Sequence, residues 1–197
     1  MRTFILIMLA MSELSAFSQT KAKDVFATAP DSIFPLLTTN NRLDCIDLIE
    51  NNMKATVKNK LEQKVEMTAL TDSYLQIKPS ERSVVEIKML NDSVYCLINT
   101  CLGPAPDSRI SFFTRNWEPY AVTFPIPHAT DFWTSVPDSL AREANFAQRS
   151  LEDLLLIQIS ADKENTELTL TIQTSELSGK EKEIAQKYVQ PLRYRWN

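Results

Sequence analysis

The chain has a single histidine, its only candidate general base of that type, and three cysteines. Cys101 opens a polar loop and His128 sits in a later one, so a thiol activated by an imidazole is the sharpest reactive arrangement available. Against it stands the ordinary fate of a loop histidine between Pro127 and Ala129, which is a solvated or locally hydrogen-bonded surface residue. Paired acids offer a second chemistry. Asp131 with Glu143, or Glu152 with Asp153, would suit glycoside cleavage only if two carboxylates faced one cleft at a set separation, and solvated surface carboxylates are the default. A hydrolase acting on a peptide or polysaccharide, through such a pair or through Cys101 and His128, is therefore the alternative reading.

Binding chemistry has more candidates. Asp107, Ser108 and Arg109 lie in a loop just before an apolar strand, where polar side chains converge on ligands or, more simply, set the turn through nearby amides. Trp117, Tyr120, Phe132 and Trp133 flank a stretch with prolines at 125 and 127. Clustered loop aromatics stack on sugars or anchor protein partners, and they also plug sheet ends. The leading expectation is a non-catalytic module that binds a protein or a glycan, with Asp107, Ser108, Arg109, Trp117, Tyr120 and Trp133 as its candidate residues.

Composition removes several classes. Two isolated glycines, Gly103 and Gly179, cannot build a phosphate-cradling loop or a dinucleotide fingerprint. One histidine and no Cys-x-x-Cys pair exclude two-histidine zinc and iron sites, so no metal or cofactor is expected, although an all-oxygen calcium site stays open. A net charge of −4 disfavours nucleic acid and anionic membrane surfaces. Cys96 and Cys101 are an odd number of residues apart, so on one continuous strand they face opposite ways and cannot bond. Three buried thiols, Cys45 among them, are expected ahead of a bridge.

The elements that must position these residues follow from periodicity. Lys21 to Ala29 reads as a polar lead-in, and Pro30, Asp31 and Ser32 open a short helix before Phe34 and Leu37. Asn41 caps a longer helix over about 42–53 with Leu43, Ile46, Ile49 and Met53 as its stripe. From Leu61 the period falls to two. Strands around Val65 and Met67, Leu75 and Ile77, Val85 to Met89 and Val94 to Thr100 make a meander, the last apolar on both faces and so central. Ile110 to Phe113 starts another strand, followed by the irregular crossing over 123–133. Pro137 to Ser139 opens a helix to about Ser150, Leu155 to Ile159 and Leu168 to Ile172 form a hairpin, and Ser178 with Glu181 is a capping box. A terminal strand alternates Leu192, Tyr194 and Trp196 with solvated Arg193 and Arg195. The fold class is α+β: a mainly antiparallel meander sheet with helices packed on one face, a single domain over 19–197 with a weak division into two hairpin-rich halves near 120–135.

The N-terminus carries an address. Arg2, the apolar run Phe4 to Met11 and the small residues Ala16 and Ser18 predict a signal peptide over 1–18, cleaved near Ser18. That run is too short to span a bilayer, which takes about 20 residues, and no later run is longer, so the chain is not expected to cross a membrane. The segments APDSIFPLL, NNRLDCIDL, GPAPDSRISFF followed by Trp117, and LRYRW occur in the order in which they are found in an uncharacterised family of exported Bacteroidales proteins, and the chain resembles that family over its whole mature length. The resemblance implies a Gram-negative periplasmic or envelope location, and it brings no catalytic residues with it.

Overall fold

The computed structural model describes residues 20–196, so the expected leader and its cleavage site at Ser18 lie outside the described residues. The first helix, α1 (Ala22–Ala27), falls where a polar lead-in was expected. Ala22, Val25, Phe26 and Ala29 recur at spacings of three and four, and all four are buried. The expected helix at Pro30 is instead a run of turns. The Pro30 carbonyl accepts from the Ile33 and Phe34 N–H groups at 3.0 and 3.4 Å, and Pro35, which has no N–H, does not continue the ladder.

The second helix, α2 (Thr39–Glu50), begins earlier than expected, because Thr38 rather than Asn41 is its N-cap. Thr38 Oγ1 accepts from the Asn41 N–H at 3.1 Å, and Asn41 Oδ1 accepts in return from the Thr38 N–H at 3.2 Å, a reciprocal capping box. This start turns Arg42, Cys45 and Ile46 inward and leaves Leu43 and Met53 about half exposed. Arg42 is 2 % exposed and donates to the carbonyls of Leu37 and Ala29 at 2.7 and 2.8 Å, tying the turns to the helix.

Six strands then form an antiparallel sheet in chain order: β1 (Thr56–Lys58), β2 (Lys64–Leu70), β3 (Tyr74–Ser80), β4 (Ser83–Met89), β5 (Val94–Cys101) and β6 (Asp107–Thr114). The meander and its alternation are as the sequence implies, with β5 buried on both faces between β4 and β6. One sheet face, with Val65, Leu75, Ile77 and Ile87, packs under α1 and α2.

Past β6 the chain crosses irregularly over 115–137, broken by a single 3-10 turn (Ala129–Phe132). A second 3-10 turn (Asp138–Leu140) leads into α3 (Ala141–Asp153). The hairpin β7 (Ile157–Ala161) and β8 (Glu167–Ile172), the helix α4 (Gly179–Tyr188) and β9 (Leu192–Arg195) complete the fold. Ser178 stands at the N-cap of α4, but its side chain makes no capping bond. These three strands make their own antiparallel sheet in the order β7-β8-β9. A second core joins Ile159, Leu168 and Leu170 of this small sheet to Ile98 and Phe112 on the other face of the large one, and includes Leu151 of α3 and Ala185 of α4. The class is thus mixed α+β, with one antiparallel sheet of six strands and one of three among the described residues.

Candidate functional site

The outer edge of β6 borders a groove. Just beyond β6 the chain folds back beside it: the Thr114 N–H donates to the Glu118 carbonyl, and the Tyr120 N–H to the Phe112 carbonyl, both at 2.9 Å. These bonds fix the phase of the edge. Backbone groups of alternate residues point the same way in a strand, so those of Ser108 and Ile110 also face outward. Beyond Tyr120 no bond among the described residues continues the ladder, and the strap 122–127 stands away from β6. The space between is a groove of about 410 Å³, floored by Ile110, Phe112, Ile157, Ile159 and Leu170 and roofed by Val122 to Pro127. Its lining is largely apolar. Ile126 on the strap is 83 % exposed, which is high for a large aliphatic side chain.

Asp107, Ser108 and Arg109 all line this groove, and they belong to β6 rather than to a loop before it. Two of them already hold something. Asp107 Oδ1 accepts from the Ile157 N–H at 3.1 Å, and Ser108 Oγ accepts from the Ile159 N–H at 2.9 Å. Farther along, Glu86 Oε2 accepts from the Ala161 N–H at 2.8 Å. The free edge of β7 is therefore closed at a two-residue step by three side chains of the large sheet. Burial pushes the Glu86 carboxyl up from its ordinary range, against the bonds from Ala161 and from Gln76 Nε2 at 3.3 Å. Arg109 is exposed and has no carboxylate within ion-pair distance among the described residues.

The aromatic candidates separate. Trp117 packs edge-on to Tyr95 and Phe34, with ring centroids 5.1 and 6.5 Å away, and its Nε1–H donates to the Val25 carbonyl at 3.0 Å. It latches α1 to the sheet, in a left-handed backbone at φ 64° that costs a bulky residue on the order of 1 kcal/mol. Trp133 is half-buried in the second core, and its backbone pairs with Val189. Tyr120 alone of the three stays near the groove, 41 % exposed and 6.5 Å from Trp196. Trp196 stacks on Phe112 at 5.7 Å, and Tyr194 meets Phe124 at the same distance. Tyr194 and Trp196, which the sequence places in a terminal strand, thus pack against two of the groove's lining residues. Their alternation was visible; their arrival beside Phe112 was not.

His128, the base of the alternative reading, is held by a carboxylate. His128 Nδ1 is 2.9 Å from Glu152 Oε1, and Glu152 Oε2 accepts from the Ala129 N–H at 2.6 Å. The hydrogen bond to Glu152, and then its charge, hold the imidazole above its ordinary pKa of 6.5. The pair borders an open hollow of about 440 Å³ with Thr130, Asn145, Gln148 and Arg149. No hydrogen bond joins His128 to Cys101 among the described residues. Asp131, the other acid near this loop, accepts from the His128 N–H at 2.8 Å. All three cysteines are free, and Cys101 is exposed rather than buried. Burial pushes the thiols of Cys45 and Cys96 up to about 11 and about 12, which keeps them protonated and unreactive. Among the described residues no three His, Cys, Asp or Glu side chains gather as a metal site, and no helix is long and apolar enough to cross a membrane.

A family model described as "Protein of unknown function (DUF3256)" matches residues 13–197. The chain belongs to that family. The comparison with curated proteins returns no match. Among solved structures, the fold is similar to a domain of an uncharacterized protein from Porphyromonas gingivalis W83, with a TM-score of 0.70 and 25 % identity. The likeness covers 89 % of this chain and 93 % of that one.

Proposed function

We propose that this protein is an exported, non-catalytic binding module of a Gram-negative envelope, and that the groove beside β6 holds its protein or glycan partner. The observation that carries the reading is an apolar groove of about 410 Å³ bordered by a strand edge with free backbone groups. Ligand sites are concave and mostly apolar, with a few polar groups that fix orientation, and this groove has that character. The exposed strap residues Val122 and Ile126 extend its apolar surface outward. Support for export comes from the pattern of Arg2, the apolar run Phe4 to Met11 and the small residues Ala16 and Ser18.

Placing a photo-crosslinking side chain at Ile126 and irradiating intact cells tests the groove. The expected result is a discrete adduct that disappears when Ile110→Lys puts a charge into the floor. Adducts unchanged by Ile110→Lys would place the partner elsewhere. N-terminal sequencing of the protein from a periplasmic fraction tests the address, with Gln19 as the expected first residue.

A further inference from the structure

Among the described residues the two sheets have four edges, and three of the four are capped, short or charged. At one end of the large sheet, β1 is only three residues long and ends in Lys58. The β7 edge of the small sheet is capped by Asp107, Ser108 and Glu86. Its β9 edge follows Pro191 and carries exposed Arg193 and Arg195. Short length, proline and charge are the ordinary means of preventing an edge from pairing with another chain. The β6 edge differs: over Ser108 to Ile110 it keeps outward backbone groups, and an apolar groove runs beside it.

Resting on the reading of the groove given above, we propose that its occupant is an extended polypeptide segment of a partner protein, which adds to β6 as a seventh strand and carries an acidic residue between two apolar ones. The backbone of Ser108 and Ile110 offers a donor and an acceptor at each two-residue step, the repeat that another extended backbone supplies and a glycan does not. Strand alternation sets the side-chain pattern. Ser108 and Ile110 face the small sheet, so residues paired opposite them place their side chains in the groove against Phe124, Ile157 and Leu170. Arg109, between them, leaves the strand on the opposite side by alternation but also borders the groove, exposed and without a carboxylate partner among the described residues, so the residue opposite it meets an unpaired cation. Opposite charges directly across a strand pair attract, which places the acidic residue there.

The test uses the protein purified from the envelope fraction and an acetylated, amidated peptide of about seven residues, a typical strand length. The peptide alternates valine and threonine around a central glutamate. Its partners are the same peptide N-methylated at the positions facing β6, a version with central lysine, and two non-peptide probes, hexanol and a chitin oligosaccharide. Amide shifts are followed by NMR. The expected result is binding that shifts Ser108 and Ile110, weakens about tenfold or more on N-methylation as two backbone bonds are lost, and switches preference to the lysine peptide in Arg109→Glu. Equal binding of plain and N-methylated peptides, or shifts at Ile110 and Phe124 with hexanol or chitin oligosaccharide alone, would overturn strand addition while keeping the groove as a ligand site. Absence of groove shifts with every probe would overturn both.

Discussion

Under α1 and α2 the large sheet presents Val65, Leu75, Ile77 and Ile87, and the contact is carbon against carbon. On its other face Asp107, Ser108 and Glu86 reach across to three peptide N–H groups of β7, and only beside that seam does apolar packing resume. The first arrangement closes a face and the second closes an edge. Apolar burial is strong but non-directional, so it sets how firmly the helices sit more than their exact position. Side-chain acceptors at two-residue steps set position: a one-residue slip of β7 would take Ile157, Ile159 and Ala161 away from all three. Neighbouring residues of β4 embody the two modes, since Ile87 faces the helices and Glu86 faces β7.

That contrast predicts an order of effects. Ile87→Ala removes a side chain that is 0 % exposed and leaves a cavity in a packed core, for a loss of about 3 kcal/mol in denaturant unfolding. Ser108→Ala strips the Ile159 N–H and the Thr100 hydroxyl, 2.8 Å from Ser108 Oγ, of a shared partner, and should lose about 1–2 kcal/mol. Hydrogen exchange separates the modes further. Ser108→Ala should speed exchange at Ile159 while leaving amides at the helix-covered end of the sheet protected; Ile87→Ala should loosen that end first. A larger loss from Ser108→Ala than from Ile87→Ala would reverse the comparison.

What the sequence revealed follows the same division. Val85, Ile87 and Met89 announce a strand because a half-buried sheet writes a period of two directly into the chain, and β5 was recognisably central because both its faces are apolar. α1 is hidden in the sequence because Lys21, Lys23 and Asp24 mask the stripe of Ala22, Val25 and Phe26. Arg42 reads as the start of α2, and nothing local shows that its guanidinium is buried by the turns before it. At the candidate site, Asp107 and Ser108 resemble turn residues, which they are in composition only; their partners lie on β7, some 50 residues on. The groove arises where the strap leaves β6, a tertiary event that no spacing encodes. Tyr194 and Trp196 reach its Phe124 and Phe112 from the far end of the chain.

Glu86 sharpens the comparison through pH. Its folded-state pKa lies above the ordinary 4.5, because burial penalises the carboxylate. An acid raised in this way weakens the fold when ionised: the penalty is fully present above the folded pKa and is relieved as pH falls toward 4.5. Glu86→Gln keeps an oxygen for the Ala161 N–H without the charge. The variant should equal or exceed the parent in stability at pH 7, and its advantage should shrink on acidification, as read by urea midpoints across that range. A variant weaker than the parent at pH 7 would mean that the ionised carboxylate itself holds β7.

The smallest effect is expected at His128, where an exposed pair ties the crossing to α3 instead of closing a sheet. Glu152 raises the histidine above 6.5 and is itself lowered below 4.5 by the ring and by the Ala129 N–H. The histidine's contribution is fully present below 6.5 and is lost as pH rises through its raised value. The carboxylate's is fully present above 4.5 and is lost as pH falls through its lowered one, so the clasp is complete between the two. Both side chains are solvated, and screening keeps the consequence for global stability slight. The sensitive readout is the NMR titration of the ring protons, which should show a midpoint above 6.5 that returns to about 6.5 in Glu152→Gln. Because Glu152 also caps Ala129, the same variant should speed exchange of the Ala129 amide while Ile159 stays protected. Loss of protection at both would show that the crossing and the β7 seam open as one unit, and the contrast between a locally clasped loop and a cooperatively held sheet edge would fail.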